Sequence, residues 1–258
     1  MSYSNKGNTS TDISFSCDGL AIVGTLHLPP VSNPSIVIGS HGLFSDRQSP
    51  KQISLANACN QLGIAFFRID HRGCGDSEGN FKDVADLEGR RRDMAAAIEM
   101  MKNHEDTGDL ISLFGSSLGG AVCLYTASES ENIVSLVTVA APVFFDSPVK
   151  MDHAIKKARE ETDASHPIIS GTKLAFDIRD RMYNIKSILI FHGDADGVVP
   201  LSNAHDLHER VQKPKQLVIL KDGDHRMSDP DHQKRFIQEA SEWFKAGFDA
   251  MLQGSQKK

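Results

Sequence analysis

Apolar and polar positions recur along this chain in two periods, and the order of those periods predicts an architecture. Asp12–Cys17 and Leu20–Leu28 read as short strands joined at Asp18-Gly19, a dipeptide suited to a tight hairpin. Ser35–Gly39 is a short apolar run, Gln52–Leu62 is helix-like, and Ile64–Ile69 is the next strand. Between Lys82 and Lys102, the apolar residues Val84, Leu87, Met94, Ile98 and Met101 share one face of a long helix. The strand Leu110–Phe114 is followed by a helix to about Ala127 and the strand Ile133–Ala140. Ser187–Phe191 and Gln216–Leu220 are further strands, with helices over Ser202–Val211 and Asp231–Met251.

Apolar strands alternating with helices predict an α/β fold in one domain, 1–258, with a mostly parallel central sheet and helices on both faces. In such sheets the reacting groups sit on loops at the carboxyl ends of the strands. The stretch 146–186 breaks the alternation, with amphipathic segments around Val149–Arg159 and Leu174–Tyr183. It is expected to form a small cap insertion, since long connections in compact domains carry structure or function. The plainer alternative is an edge helix or two with long loops.

Composition narrows the picture further. The chain has 258 residues, enough to bury a large core without disulfide or metal staples. A net charge of −6 and a pI of about 6.0 give no support for binding nucleic acid or an anionic membrane surface. Arg90-Arg91-Arg92 is flanked by acids and is expected on a solvated helix face. Cys17, Cys59, Cys74 and Cys123 show no C-x-x-C spacing and read as thiols in a reducing compartment. The N-terminal residues lack a charged-then-apolar leader, and the longest apolar run, near Val134–Phe145, is too short to span a bilayer. A cytoplasmic location is the default expectation.

The strand-end loops hold the candidate chemistry. Gly115-Ser116-Ser117-Leu118-Gly119 matches G-x-S-x-G between a strand and a helix, the setting of a nucleophile elbow. The turn demands small residues two before and two after the serine. Gly115 and Gly119 satisfy this for Ser117, whereas Ser116 would be flanked by Phe114 and Leu118. The N–H of Leu118 would then face a developing oxyanion. The loop Gly39-Ser40-His41-Gly42-Leu43-Phe44 supplies the second donor, Leu43 first and Phe44 second, and His41 is read as a structural histidine packed under it.

A serine nucleophile needs a base and an orienting carboxylate, which this fold places after later strands in the order serine, acid, histidine. The strand Ser187–Phe191 leads into His192-Gly193-Asp194-Ala195-Asp196, and the next strand leads into Asp222-Gly223-Asp224-His225. His225 is the base. Asp196 and Asp194 compete as the acid, and Asp196 sits deeper in the turn. Asp146 is a further candidate position, and Asp224, adjacent to His225, should point elsewhere.

These segments resemble the α/β-hydrolase superfamily over nearly the whole chain. His41-Gly42 is similar to its oxyanion segment and Asp70-His71-Arg72-Gly73-Cys74-Gly75-Asp76-Ser77-Glu78-Gly79 to its D-x-R-G-x-G-x-S-x-G loop. Gly115–Gly119 resembles its elbow and Asp224-His225 its terminal histidine motif. The H-G-x-x-D likeness of His192–Asp196 favours Asp196. Within the superfamily the chain looks most like small bacterial cinnamoyl- and feruloyl-esterase-like and serine-aminopeptidase-like proteins. The resemblance implies a serine esterase with Ser117, Asp196 and His225 as catalytic residues, Leu43 and Leu118 as oxyanion donors, and a small ester or acyl substrate. A thioesterase, acyltransferase or peptidase would use the same residues, and a non-catalytic binding protein is the remaining alternative. Glu78 stands where a G-x-G-x-x-G nucleotide loop would need glycine, and no P-loop occurs, so no cofactor and no metal are expected.

Overall fold

The sheet is built on strands that are buried from end to end. In the computed structural model, which describes residues 8–145 and 175–255, strands β3 (Ile36–Ser40), β4 (Ala65–Ile69) and β9 (Ile188–Gly193) have no exposed position. Such runs arise when both faces of a parallel sheet are covered. They lie in an eight-stranded sheet with β1 (Thr9–Cys17), β2 (Leu20–Leu28), β5 (Ile111–Ser116), β6 (Ile133–Val139) and β10 (Lys215–Leu220), in the order β1-β2-β4-β3-β5-β6-β9-β10. The strands from β4 through β10 run parallel; the β1–β2 hairpin joins them antiparallel through β2. Asp18 and Gly19 both adopt positive φ, 53° and 78°, as a two-residue hairpin with the right-handed strand twist requires.

Alternation along each strand sends side chains to opposite layers. Ile36 and Ile38 face a core shared with α2 (Leu87–Lys102) and α3 (Leu118–Ser128), through Met94, Ile98, Val122 and Leu124. Val37 between them faces a second core, packed by α1 (Pro50–Gln61) and α5 (Pro230–Ser255) through Leu55, Cys59, Phe236, Phe244 and Phe248. Helix α4 (Ser202–Arg210) adds Ala204 and Leu207 to the first core.

The helix expected over Lys82–Lys102 is divided. Residues Phe81–Ala85 form a 3₁₀ turn, and α2 starts only after Asp86, whose carboxylate accepts the Glu88 N–H at 3.1 Å. An aspartate that satisfies an orphan N–H in this way caps a helix better than it continues one. The two-stranded β7 (Phe144–Phe145) and β8 (Phe176–Asp177) pair antiparallel, and residues Arg179–Asn184 form another 3₁₀ turn. The greater part of the segment read as a cap, 146–174, lies outside the described residues, and Asp146 with it. Among the described residues no helix is long and apolar enough to cross a membrane.

Candidate active site

Because β3, β5, β9 and β10 run in the same direction, the loops that follow them emerge at one edge of the sheet. The loop after β5 is the tightest. Ser117 has φ 53° and ψ −124°, a strained conformation for a residue with a side chain, and its N–H bonds the Val139 carbonyl at 2.8 Å. The turn is possible because of its glycines. A side chain at Gly115 would collide with the Gly119 carbonyl, and one at Gly119 would collide with the carbonyls of Ser40 and His41. As the first residue of α3, Leu118 has no carbonyl available within the helix for its N–H.

The loops after β9 and β10 bring Asp196 and His225, the candidate acid and base, to this serine. His225 Nε2 lies 3.1 Å from Ser117 Oγ, and His225 Nδ1 lies 2.8 Å from Asp196 Oδ2. The other Asp196 oxygen accepts the N–H groups of Val198 and Val199 at 2.8 and 2.9 Å, which fixes the carboxylate plane. Burial alone would push the Asp196 carboxyl up. The hydrogen bond and charge of His225, with the two backbone donors, bring it below the ordinary carboxylate value. Asp196 therefore stays ionised and holds a proton on Nδ1, leaving the Nε2 lone pair toward Ser117.

The competing acids have other partners. Asp194 accepts the Asp222 N–H at 2.6 Å and so braces the histidine loop. Asp224 accepts from the Ser228 N–H and hydroxyl at 2.7 and 2.6 Å, turned away from His225. Buried His192, not singled out from the sequence, donates from Nε2 to the Val199 carbonyl at 2.9 Å, and that nitrogen stands 3.4 Å from Asp196.

On the other side of Ser117 lies the loop after β3. Gly42 lies beside the elbow: a Cβ there would sit 3.4 Å from both the Ser116 carbonyl and Ser117 Cβ, an ordinary van der Waals contact. Leu43 and Phe44 are partly buried beside it, Phe44 with φ 55°. His41 is buried beneath: its Nε2 accepts the His71 N–H at 3.1 Å and its Nδ1 donates to the Gly42 carbonyl at 2.8 Å. Burial holds His41 well below the ordinary histidine value, so it is neutral in this tautomer. Arg72 ties loops together, binding Asp93 on α2 at 2.7–3.2 Å and Asp18 in the hairpin at 2.9 Å. Arg47 bonds Asp70 through its side chain and, at 2.6 Å, through its N–H.

One expectation fails plainly. Arg90 is not on a solvated face; it is fully buried, while its neighbours Arg91 and Arg92 pair outside with Glu88, Glu129 and Asp18. The spacing carried the signal, because position 90 is three residues after Leu87 and four before Met94, on the apolar stripe of the same helix. Lys51 was also missed. It is partly buried at the start of α1, 3.5 Å from Ser116 Oγ; burial lowers its ammonium to about 8, with Asp224 and Asp196 pulling the other way.

At the edge of the insertion Phe145 stacks on Phe176 at 6.4 Å and Phe144 lies under the Arg179 guanidinium at 4.2 Å. Met182 is core, and Leu174 lies outside the described residues. Among the described residues, no group of three or more His, Cys, Asp or Glu side chains is placed to hold a metal ion.

The sheet, its two helical layers and the loops gathered at its carboxyl edge define an α/β-hydrolase fold. Residues 32–179 match the family described as serine aminopeptidase, S33, and the chain belongs to that hydrolase family. It is 27% identical over 216 residues to palmitoyl-protein thioesterase ABHD10, mitochondrial, of Rattus norvegicus, covering 76% of this chain and 70% of that protein. Est1E from Butyrivibrio proteoclasticus, solved with ferulic acid bound, is similar in structure with a TM-score of 0.74 at 20% identity, covering 92% of this chain and 99% of that one. Dienelactone hydrolase from Anabaena variabilis has a TM-score of 0.71 at 22% identity, covering 93% and 98%. At these identities the structural likenesses establish the fold.

Proposed function

We propose that this protein is a serine esterase that cleaves carboxylic ester bonds through an acyl-enzyme. The observation that carries this reading is the unbroken line from Ser117 Oγ to His225 at 3.1 Å and from His225 to Asp196 at 2.8 Å. In the first half-reaction His225 Nε2 takes the hydroxyl proton as Ser117 Oγ bonds the ester carbonyl carbon. The carbonyl oxygen gains the electron pair and is held by the Leu43 and Leu118 N–H groups. Collapse expels the alkoxide, which takes the proton from His225 Nε2 and leaves as the alcohol. Water then repeats the sequence, with His225 as base, to release the acid and restore Ser117. Asp196 keeps the imidazole oriented and stabilises its charged form. The insertion 146–186 is, in the same reading, a cap on the site.

The test is hydrolysis of p-nitrophenyl esters from acetate to long acyl chains by wild type and Ser117→Ala, with fluorophosphonate labelling alongside. Activity and labelling that disappear together in the variant support the reading. Labelling that survives in Ser117→Ala overturns it. A second reading, thioesterase on the same residues, is favoured by the likeness to the rat palmitoyl-protein thioesterase. A higher kcat/KM for an acyl thioester than for the matched oxygen ester would select it.

A further inference from the structure

Arg90 has an unusual position for a charged side chain. It is 0% exposed, and among the described residues it makes no ion pair. Its hydrogen bonds all go to neutral acceptors. Nε donates to the Val84 carbonyl at 2.7 Å, and Nη2 points to the Cys74 Sγ at 3.4 Å. Nη1 donates to the His41 carbonyl at 3.1 Å and reaches the Gly42 carbonyl at 3.5 Å. An arginine stays protonated in such a place; Asp93, one helical turn on, acts on it only through space, and a buried charge without a direct ion pair is costly. An apolar side chain would fill the same stripe of α2 without that cost. Arg91 and Arg92, next to it, take the usual solvated positions and ion pairs.

The carbonyls it holds explain the cost. The Gly42 carbonyl and the Leu43 N–H belong to one planar trans peptide unit, so the two point in opposite directions. The Gly42 carbonyl already accepts His41 Nδ1–H at 2.8 Å. His41 can serve as that donor because its Nε2 is occupied by the His71 N–H. With a guanidinium and an imidazole both on the carbonyl side, the Leu43 N–H is turned away from them. Gly42 itself lies against Ser117. A cation on the oxygen end of an amide also polarises its N–H, strengthening it as a donor.

We propose that Arg90 is a positioning residue for the oxyanion site: through the His41 and Gly42 carbonyls it fixes and polarises the peptide whose N–H, on Leu43, receives the developing oxyanion. It touches no substrate. The inference rests on the serine-hydrolase reading of Ser117 and selects Leu43 over Phe44 as the donor from this loop. Because a misaligned donor loses its effect only where charge develops, removing Arg90 should reduce kcat and leave KM in place. Loss of a whole oxyanion donor lowers kcat by about 10²–10³-fold, so loss of its alignment should lower it by about 10–100-fold.

The experiment compares Arg90→Met and Arg90→Lys with wild type, using p-nitrophenyl acetate for kcat and KM. It also measures affinity for an aryl trifluoromethyl ketone, which forms an oxyanionic adduct on the serine, and for the matched alcohol, which does not. Thermal melts establish the folded fraction. The expected result is that Arg90→Met loses kcat and trifluoromethyl-ketone affinity by a similar factor, with KM and alcohol affinity within about threefold. Arg90→Lys, which keeps a cation able to reach one carbonyl, should recover part of both. If Arg90→Met does not fold, Arg90→Lys and Arg90→Gln make the same comparison. Variants that melt earlier but keep kcat and ketone affinity per folded molecule would overturn the role of Arg90 alone. A wild type that neither labels with fluorophosphonate nor turns over any ester would overturn the serine-hydrolase reading, and this proposal with it.

Discussion

The Asp196 carboxylate divides its oxygens, one to His225 Nδ1 at 2.8 Å and the other to the Val198 and Val199 N–H groups. That division makes Asp196 and Asp194 separable by experiment, although they are two residues apart. An Asp196→Asn amide would turn a donor toward His225 Nδ1 and favour the tautomer that blocks Nε2. The expected loss is about 10⁴-fold in kcat with little change in KM. Asp194→Asn keeps an oxygen for the Asp222 N–H and should stay within a few-fold of wild type. Steady-state kinetics of the two variants decide the assignment, and equal losses would refute it.

Ser116 and Ser117 give a similar contrast. Ser116 lies at the end of β5, and its hydroxyl faces Lys51 Nζ at 3.5 Å, while Ser117 faces His225. Ser116→Ala should retain ester hydrolysis within a few-fold, and intact-mass analysis should find fluorophosphonate still added to it. An unlabelled Ser116→Ala protein with a native melt would move the nucleophile one residue upstream.

Much of this site is legible in the sequence because its parts are local. Asp18-Gly19 suits positive φ and marks the hairpin, and the glycines around Ser117 mark a turn that side chains would block. Buried apolar strands predict a sheet covered on both faces, and the sheet direction then gathers the loops. What is less legible depends on contacts distant in the chain. Nothing near Arg90 in sequence announces the carbonyls of residues 41 and 42, almost fifty positions earlier. Three consecutive arginines suggest a solvated face only when the helical period that separates Arg90 from its neighbours is set aside. Asp86 reads equally as a helix residue or as a cap, and its bond to the Glu88 N–H decides which.

The Asp93 carboxylate is fully buried and carries the Arg72 guanidinium and N–H together. Burial alone would raise its carboxyl, but the His71 imidazole, with Nδ1 3.4 Å away, and the hydrogen bonds of Arg72 hold it well below the ordinary value. Truncating one partner of a buried pair leaves the other uncompensated, so Arg72→Met should destabilise the fold by about 3–5 kcal/mol. Urea melts at neutral pH measure this. A loss under 1 kcal/mol would mean that the pair contributes little to the fold.

Burial also keeps several histidines neutral, with consequences for acid stability. Burial lowers His27 and His71 from 6.5 to about 4, and His41 well below 6.5. Below about pH 6.5 the unfolded chain takes up protons at these residues while the folded chain does not. Stability therefore falls as pH drops through 6.5 toward 5, by up to about 1.4 kcal/mol per pH unit for each such histidine. Buried Asp93 and Asp196, whose carboxyls are lowered, add to the loss only further down, where unfolded carboxylates titrate. Denaturant melts at pH 7.5, 6.5, 5.5 and 5.0 should show the midpoint falling throughout. A midpoint unchanged between 7.5 and 5.0 would mean that these histidines are charged in the native state.

Gly119 couples the turn at Ser117 to the loop after β3. Its α-carbon lies where a methyl group would meet the carbonyls of Ser40 and His41, the residues that lead into Gly42 and Leu43. These are main-chain atoms held by the sheet, so Gly119→Ala must be accommodated by separating α3 from the loop after β3. Displacements of about 1 Å in a catalytic geometry cost about 10²-fold in rate. Gly119→Ala is therefore expected to lose at least that factor in kcat/KM per folded molecule, in addition to a lower melting temperature. Gly254, near the exposed end of α5, has open space at the same position. Gly254→Ala should leave activity intact and gain up to about 1 kcal/mol from helix propensity. If Gly119→Ala turned over p-nitrophenyl acetate as fast as Gly254→Ala, the turn at Ser117 and the loop after β3 would not be in the close register described, and the placement of Gly42 beside Ser117 would be wrong.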